Sequence, residues 1–361
     1  MIFSRAPLNP PPLLSPSRRS PVSRNLTVRP AYARQLIPCA DGGTVALDWW
    51  TGPAGWPGEA GHEGAPPPLP PTAPLLLVLH GLTGSGTEGY VKGACLAARA
   101  SGWRAAVLTY RGCGGLALTS PLPYTATGTA DAAAGLAAAA AAFPRAAATA
   151  AVGFSLGAII LTKFLAEAEG GRWPAAPPLL AALAISSPFC LASASARLAE
   201  PWTPGWVYDR ILAHRLGSYF KEHEGSLSGH PVVQEALAAG ATRTARTVGA
   251  WDAAVVARLA GHEDRPAYYA AASSAAAIPA IVRTPTLFLA AGDDPFLGDL
   301  PEVEVAGSPV AALAVSPWGG HCAFLQGARG GGVWPGGRAW CDDVLVQWLE
   351  AVRAEGAASR L

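Results

Sequence analysis

The sequence predicts an α/β fold with a mostly parallel sheet flanked by helices, and three observations predict it. Short apolar runs alternate with helix-length segments through the middle of the chain. The runs lack the polar alternation of half-exposed strands, as expected where both faces of a parallel sheet are covered. The residues best suited to chemistry stand just past the ends of those runs, at the sheet edge where open α/β folds bind ligands.

Residues 1–33 hold Arg5, Arg18, Arg19, Arg24 and Arg29 among many Ser and Pro, and Asp41 is the first acidic residue. That composition predicts a transit peptide, with plastid favoured over mitochondrion because Pro spoils an amphipathic helix. A disordered basic tail on a cytoplasmic protein is the alternative. The catalytic domain is expected over 34–355. Gly and Pro crowd the stretch from Trp50 to Pro74, which reads as a surface loop between two early strands. Leu75 to Leu79 is an apolar run ending at His80-Gly81, Tyr90 to Ala100 a helix, and Arg104 to Tyr110 a second run. A helix around Ala130 to Phe143 precedes the run Ala148 to Gly153, and a further helix reaches Glu169. Leu179 to Ile185 and Thr286 to Ala290 are again strand-like, and Val315 to Trp318 leads into Gly319-Gly320-His321. Residues 187 to about 280 interrupt the alternation and predict an inserted helical lid.

Composition bounds the partners. Of 361 residues half are apolar and 14% charged, with a formal net charge of +1, so there is no electrostatic footprint for nucleic acid or an anionic membrane. A small, neutral substrate is expected. The six cysteines are scattered without a CxxC pair, which suggests neither a zinc site nor a disulfide frame and fits a reducing compartment. Apolar stretches such as Ala132 to Phe143 fall short of the roughly eighteen residues that span a bilayer, so no transmembrane segment is expected.

Gly153-Phe154-Ser155-Leu156-Gly157 lies between a strand and a helix, the context in which this pattern forms a nucleophile elbow. A serine hydroxyl is a weak nucleophile and needs a base that is itself oriented by a carboxylate. On an α/β-hydrolase fold these follow in the order Ser, Asp, His. Gly292-Asp293-Asp294-Pro295 follows one strand and Gly319-Gly320-His321 another, so Ser155 is the candidate nucleophile, His321 the base and Asp294 the acid, with Asp293 the alternative acid. An oxyanion needs two backbone N–H donors, which Leu156 and Leu82 of the His80-Gly81-Leu82-Thr83-Gly84 loop are placed to supply. His80 is expected to shape that loop through hydrogen bonds. Gly84-x-Gly86-x-x-Gly89 matches the dinucleotide fingerprint, but His80 to Thr83 separate it from the strand, and Tyr110-Arg111 stand where an acid should follow. The rival is therefore an NADP oxidoreductase reading through Arg111. Glu222-His223-Glu224 with His230 lacks HExxH spacing and is read as a solvated lid face, so no metal and no cofactor are expected.

With these residues in hand, the chain resembles the YheT-like branch of α/β hydrolases, which includes animal proteins related to alpha/beta-hydrolase domain-containing proteins 1 and 3 and plant EMB8-like proteins. The resemblance runs from about Arg34 to Trp348. It is carried by Asp41-Gly42-Gly43 with Leu47-Asp48-Trp49, His80 to Gly84, Tyr110-Arg111-Gly112-Cys113-Gly114-Gly115, the elbow, Tyr268-Tyr269 with Ser273-Ser274, Asp293-Asp294-Pro295-Phe296, and Gly319-Gly320-His321. One departure follows the elbow, where Ala158-Ile159 replaces a small residue followed by Asn. The resemblance implies hydrolysis of carboxylic esters, acylglycerols or phospholipids among them, and the same triad. Trp202, Trp206, Tyr208, Tyr219 and Phe220 in the lid suit a lipid-like substrate and an ordinary lid core alike, and peripheral membrane contact is compatible with them. The same fold also accommodates an acyltransferase or a non-catalytic binding protein, and both compete with the hydrolase reading.

Overall fold

The computed structural model describes residues 30–53, 68–324 and 339–358. The basic leader expected over the first residues therefore lies outside the described residues up to 29. Its expected boundary differs as well, because Pro30 to Ala33 already belong to β1 (Pro30–Pro38). β2 (Thr44–Pro53) runs past Trp50 into the stretch expected as a loop, because the pairing with β1 continues to Pro53, and residues 54–67 of that stretch lie outside the described residues.

The predicted alternation then appears almost run for run: β3 (Leu75–Leu79), α1 (Gly89–Ala100), β4 (Arg104–Thr109), α2 (Thr129–Ala142), β5 (Thr149–Phe154), α3 (Leu156–Glu169) and β6 (Ala182–Ile185). After the lid come β7 (Thr286–Ala291), β8 (Ala311–Ser316) and a closing helix, Trp340–Ala358. The strands form one eight-stranded sheet in the order β1-β2-β4-β3-β5-β6-β7-β8. β1 and β2 run antiparallel at one edge, and every pairing from β4 to β8 is parallel. β8 (Ala311–Ser316) starts ahead of the run the sequence suggested, because Leu313 stands among alanines that give little apolar contrast.

Period-two alternation divides each buried strand between two cores. Leu75, Leu77 and Leu79 face the layer that holds Leu136 of α2 and Phe164 of α3. Leu76 and Val78 face the layer of Val91 and Cys95 from α1 and Leu345 and Leu349 from the closing helix. Both faces are covered, which is why the strands read as unbroken apolar runs. In register, Leu79 pairs with Gly153, Phe154 with Ile185, and Ala291 with Ser316. The chain thus leaves several parallel strands along one edge, and each exit is a place for a functional side chain.

Between β6 and β7 the lid comprises α4 (Leu191–Leu198), α5 (Pro204–Glu222) and a series of shorter turns ending at Ala280. It is clamped to the sheet by the loop after β4. The Tyr219 hydroxyl donates to the Arg111 carbonyl at 2.9 Å, and the His223 ring nitrogen Nε2 donates to the Gly112 carbonyl at 2.7 Å. His223 is buried, which corrects the reading of Glu222-His223-Glu224 as a solvated face: the two glutamates are exposed, and the histidine between them points inward as a lid fastener. The Arg111 side chain does the same on the sheet side. It forks onto both Asp131 oxygens at 2.8 and 2.6 Å and reaches Asp41 at 2.6 Å.

Breaking a buried ion pair from one side leaves an uncompensated charge and costs about 3–5 kcal/mol. Arg111→Ala strands Asp131, whose side chain is 9% exposed, so its unfolding midpoint in urea should drop by a stability loss of that order. Arg111→Lys should recover only part, since an ammonium cannot fork onto both oxygens. An unchanged midpoint in the alanine variant would show that the network adds nothing.

Candidate active site

Ser155 follows the last residue of β5 and precedes the first residue of α3, with φ 53° and ψ −117°. This left-handed conformation is costly for a residue with a side chain. It is held by the Ser155 N–H donating to the Ile185 carbonyl at 2.9 Å, and by the Ala158 and Ile159 N–H groups donating to the Ser155 carbonyl. The flanking glycines leave room for it. A Cβ at Gly153 would strike the Gly157 carbonyl, and one at Gly157 would strike the Leu79 carbonyl. The helix begins normally despite Ala158-Ile159, and Ile159 packs with Tyr268 and Tyr269 of the lid. Thr83, Ser186, Cys322 and Phe324 share positive φ with Ser155, so backbone strain gathers in the loops of this edge. The Cys322 N–H ties two of them together by donating to Ser186 Oγ at 3.1 Å.

His321 arrives on the loop after β8. Its Nε2 lies 2.8 Å from Ser155 Oγ, and its Nδ1 lies 2.9 and 3.0 Å from the two oxygens of Asp294. Asp294 is 1% exposed and also accepts from the Phe296 N–H at 2.8 Å, while the Phe296 ring stacks on the imidazole at 4.0 Å. With Nδ1 donating to the carboxylate, Nε2 is left with its lone pair toward the serine hydroxyl. The neighbouring Asp293 is occupied elsewhere: its Oδ1 accepts from the Gly319 and Gly320 N–H groups at 2.8 Å each, fixing the turn that delivers the histidine. Burial disfavours the imidazolium, but the Cys322 sulfur beside it and the Asp294 carboxylate outweigh burial, and the imidazole is raised above its ordinary range.

In the loop after β3, the Gly81 N–H donates to Tyr90 Oη, the Thr83 N–H to Tyr124 Oη, and the Gly84 N–H to the Gly81 carbonyl. Leu82 keeps its N–H without a partner among the described residues, as does Leu156 at the start of α3. Both residues border a pocket walled also by Tyr124, Phe220, Val256 and Tyr268. His80 shapes the loop: Nδ1 donates to the Gly81 carbonyl at 2.8 Å and Nε2 accepts from the Tyr110 N–H at 3.4 Å. Burial pushes its pKa down to about 4, leaving a neutral ring.

The glycines of the dinucleotide-like pattern serve protein packing. Gly86 lies against the Tyr32 ring, whose hydroxyl donates to the Gly86 carbonyl at 2.6 Å, and Gly84 lies against Tyr90 Oη and His80. Arg111, the residue that would meet a second phosphate, is committed to Asp131 and Asp41. Among the described residues no group of His, Cys, Asp and Glu is arranged to hold a metal, and no helix is long and apolar enough to cross a membrane. Sequence reasoning missed Asp252 and Tyr268 as pocket residues, because the lid turns that bring them there carry no periodic signal.

The chain is 30% identical to the putative esterase YheT of Escherichia coli, over 90% of this chain and 86% of that protein. It belongs to the YheT-like family of α/β hydrolases. Two further members are the embryogenesis-associated protein EMB8 of Picea glauca, 31% identical over 88% of this chain and 66% of its own length, and a monoacylglycerol lipase of Saccharomyces cerevisiae, 30% identical over 78% and 60%. This family member therefore spans about two thirds of the length of those relatives. No protein-family model matches the chain. The fold is shared with a hyperthermophilic esterase from Pyrobaculum calidifontis, at 14% identity and a TM-score of 0.53 over 93% of this chain and 89% of that one.

Because only a neutral imidazole accepts a proton, the reaction of Ser155 with a fluorophosphonate should slow as pH falls through the raised His321 value, at a pH above the ordinary value of about 6.5. Asp294→Asn should lower the rate by a factor on the order of 10³–10⁴ and shift the acid limb down. Asp293→Ala should lower the rate by roughly ten- to a hundredfold with the limb in place, since it loosens the loop without touching the ring. Rate constants across a pH series distinguish the two carboxylates.

Proposed function

We propose that this chain is a serine hydrolase that cleaves carboxylic esters of lipid-like substrates, acylglycerols or phospholipids, through an acyl-enzyme. The observation that carries the reading is the unbroken chain of hydrogen bonds from Asp294 through His321 to Ser155, whose neighbour Leu156 lines a largely apolar pocket. In the first half-reaction His321 Nε2 takes the Ser155 proton as Oγ bonds to the ester carbon. The Leu82 and Leu156 N–H groups face the charge that develops on the carbonyl oxygen. The carbon–oxygen bond to the alcohol then breaks, and His321 returns the proton to the leaving alkoxide. In the second half-reaction a water gives its proton to His321 and its oxygen to the acyl carbon, and collapse restores the Ser155 hydroxyl and releases the acid. Asp294 holds the imidazole in the required tautomer and stabilises its charged form.

Two features support a lipid-like ester. Relatives include the yeast monoacylglycerol lipase and a mouse protein named phospholipase ABHD3, 28% identical over 90% of this chain. In addition, the outer face of α5 leaves Val207, Tyr208 and Ile211 exposed, next to Trp202 at 89% and, beside the His321 loop, Trp318 at 77%. Tyr208 meets Phe296, which stacks on His321, so this apolar face adjoins the catalytic edge and suits contact with a lipid surface.

Labelling of the purified protein with a fluorophosphonate should add one adduct to the wild type and none to Ser155→Ala. Ester hydrolysis should fall to background in that variant while the fold is retained by circular dichroism. Undiminished hydrolysis by Ser155→Ala would overturn the assignment.

A further inference from the structure

The wall of the pocket is largely apolar, with Thr125 and tyrosine hydroxyls among its polar groups, and Asp252 is the carboxyl in its lining. Asp252 opens a π-helical turn, Asp252–Val256, a local geometry often found at functional sites. It is 8% exposed and lines the same pocket as Leu82 and Leu156. One oxygen, Oδ2, accepts from the Tyr269 hydroxyl at 2.7 Å. The other takes no hydrogen bond among the described residues, and no ion pair reaches the group. Tyr268 lines the pocket as well. Its oxygen accepts from the Ala126 N–H at 3.3 Å, and its own proton has no acceptor among the described residues. The spare acceptor of Asp252 and the spare donor of Tyr268 both belong to residues that line the pocket, where an entering polar group can pair with them. Burial pushes the Asp252 carboxyl up to about 7, against the Tyr269 hydrogen bond and the nearby Arg265.

We propose that Asp252 and Tyr268 form a polar subsite that receives a hydroxyl group of the ester, carried on its alcohol or its acyl part, and that this pair sets the substrate preference. The inference rests on the ester-hydrolase reading. A hydroxyl matches the pair because it donates to Asp252 and accepts from Tyr268 together. An ammonium would leave the phenol proton unanswered, and a plain alkyl end would leave both groups unanswered. Tyr269 and its contact with Ser195 hold the acid in place from behind, so Asp252 is fixed before substrate arrives.

Three esters test the proposal: methyl decanoate, monodecanoylglycerol, and the methyl ester of terminally hydroxylated decanoate. The wild type should show kcat/KM about tenfold or more higher for a hydroxyl-bearing ester than for methyl decanoate. Preference for the glycerol ester places the alcohol in the subsite, and preference for the hydroxylated acid places the acyl chain there. Asp252→Leu should bring the ratio to about one, Tyr268→Phe should reduce it, and Asp252→Asn, which keeps an acceptor oxygen, should retain part of it. Fluorophosphonate labelling of Ser155 in each variant reports whether the triad stays assembled. If Asp252→Leu does not label, the ratio in Tyr268→Phe decides. Equal rates on all three esters in the wild type, or a ratio unmoved by both substitutions, overturns the subsite and leaves the esterase standing. A wild type that neither labels nor hydrolyses any ester overturns the esterase reading itself.

Discussion

The site depends on one backbone conformation, the left-handed turn at Ser155 between β5 and α3. A non-glycine residue held there costs about 1–3 kcal/mol, so it persists only where its surroundings allow nothing else. β5 is paired on both sides, by β3 and β6, and cannot shift along its axis. α3 takes its first hydrogen bonds from the serine carbonyl, so the helix and the position of Ser155 are set together. The absence of side chains at 153 and 157 is a steric requirement on both sides of the turn, since each Cβ would meet backbone that belongs to the sheet or the helix. The hydroxyl is exposed at the edge because the chain has no other way to leave β5 and enter α3 in that space.

Several of the segments that carry the family resemblance act by position and do not touch the Ser155–His321–Asp294 chain. Arg111-Gly112-Cys113-Gly114-Gly115 joins the sheet to the lid: the arginine ties back to Asp131 and Asp41, while the backbone carbonyls of Arg111 and Gly112 receive Tyr219 and His223 from α5. Gly112 has φ 69° and sits where a Cβ would meet both of those lid side chains, and a Cβ at Gly43 would meet the Arg111 guanidinium. Asp293 plays a similar part at the other end of the site by holding the backbone of Gly319 and Gly320. These residues act on the reaction through geometry. A lid displaced by one of them would move the pocket wall against an unchanged Ser155.

How much of this was legible follows from what carries a local signal. β3, β4 and β5 were readable because bulky or unbroken apolar residues end abruptly at turn residues, and the Ser, Asp, His order fell at strand ends that periodicity located. The Asp293 and Asp294 pair was beyond periodicity. Both stand in one turn, and which faces the ring is decided by the path of the loop after β8. β8 itself was set too late because alanines give little contrast. The domain start was set at 34, inside β1, because Pro30 to Ala33 look like the tail that precedes them. Asp252 left no trace at all: a lone acid in a lid of mixed composition becomes a pocket residue only through a π turn and the packing of Tyr268 and Tyr269.

Ser155, Asp294, His321 and the Leu82 loop all come from the sheet edge, whereas the lid supplies much of the pocket wall: Leu216, Tyr219, Phe220, Asp252, Val256 and Tyr268. The two sources are under different physical constraints. The edge is fixed by parallel pairing and by backbone collisions at Gly153 and Gly157. The lid is fixed by side-chain packing and a few clamps, and packing accepts many residue sets of similar volume. Substrate choice can therefore vary without disturbing the nucleophile, and likeness of fold says little about which ester is cleaved. In such a division the informative residues are those a packing argument cannot explain. The bonds to the Tyr269 hydroxyl and the Ala126 N–H use part of the hydrogen-bonding capacity of Asp252 and Tyr268, and the part left over belongs to residues of the pocket wall, where it is available to what enters.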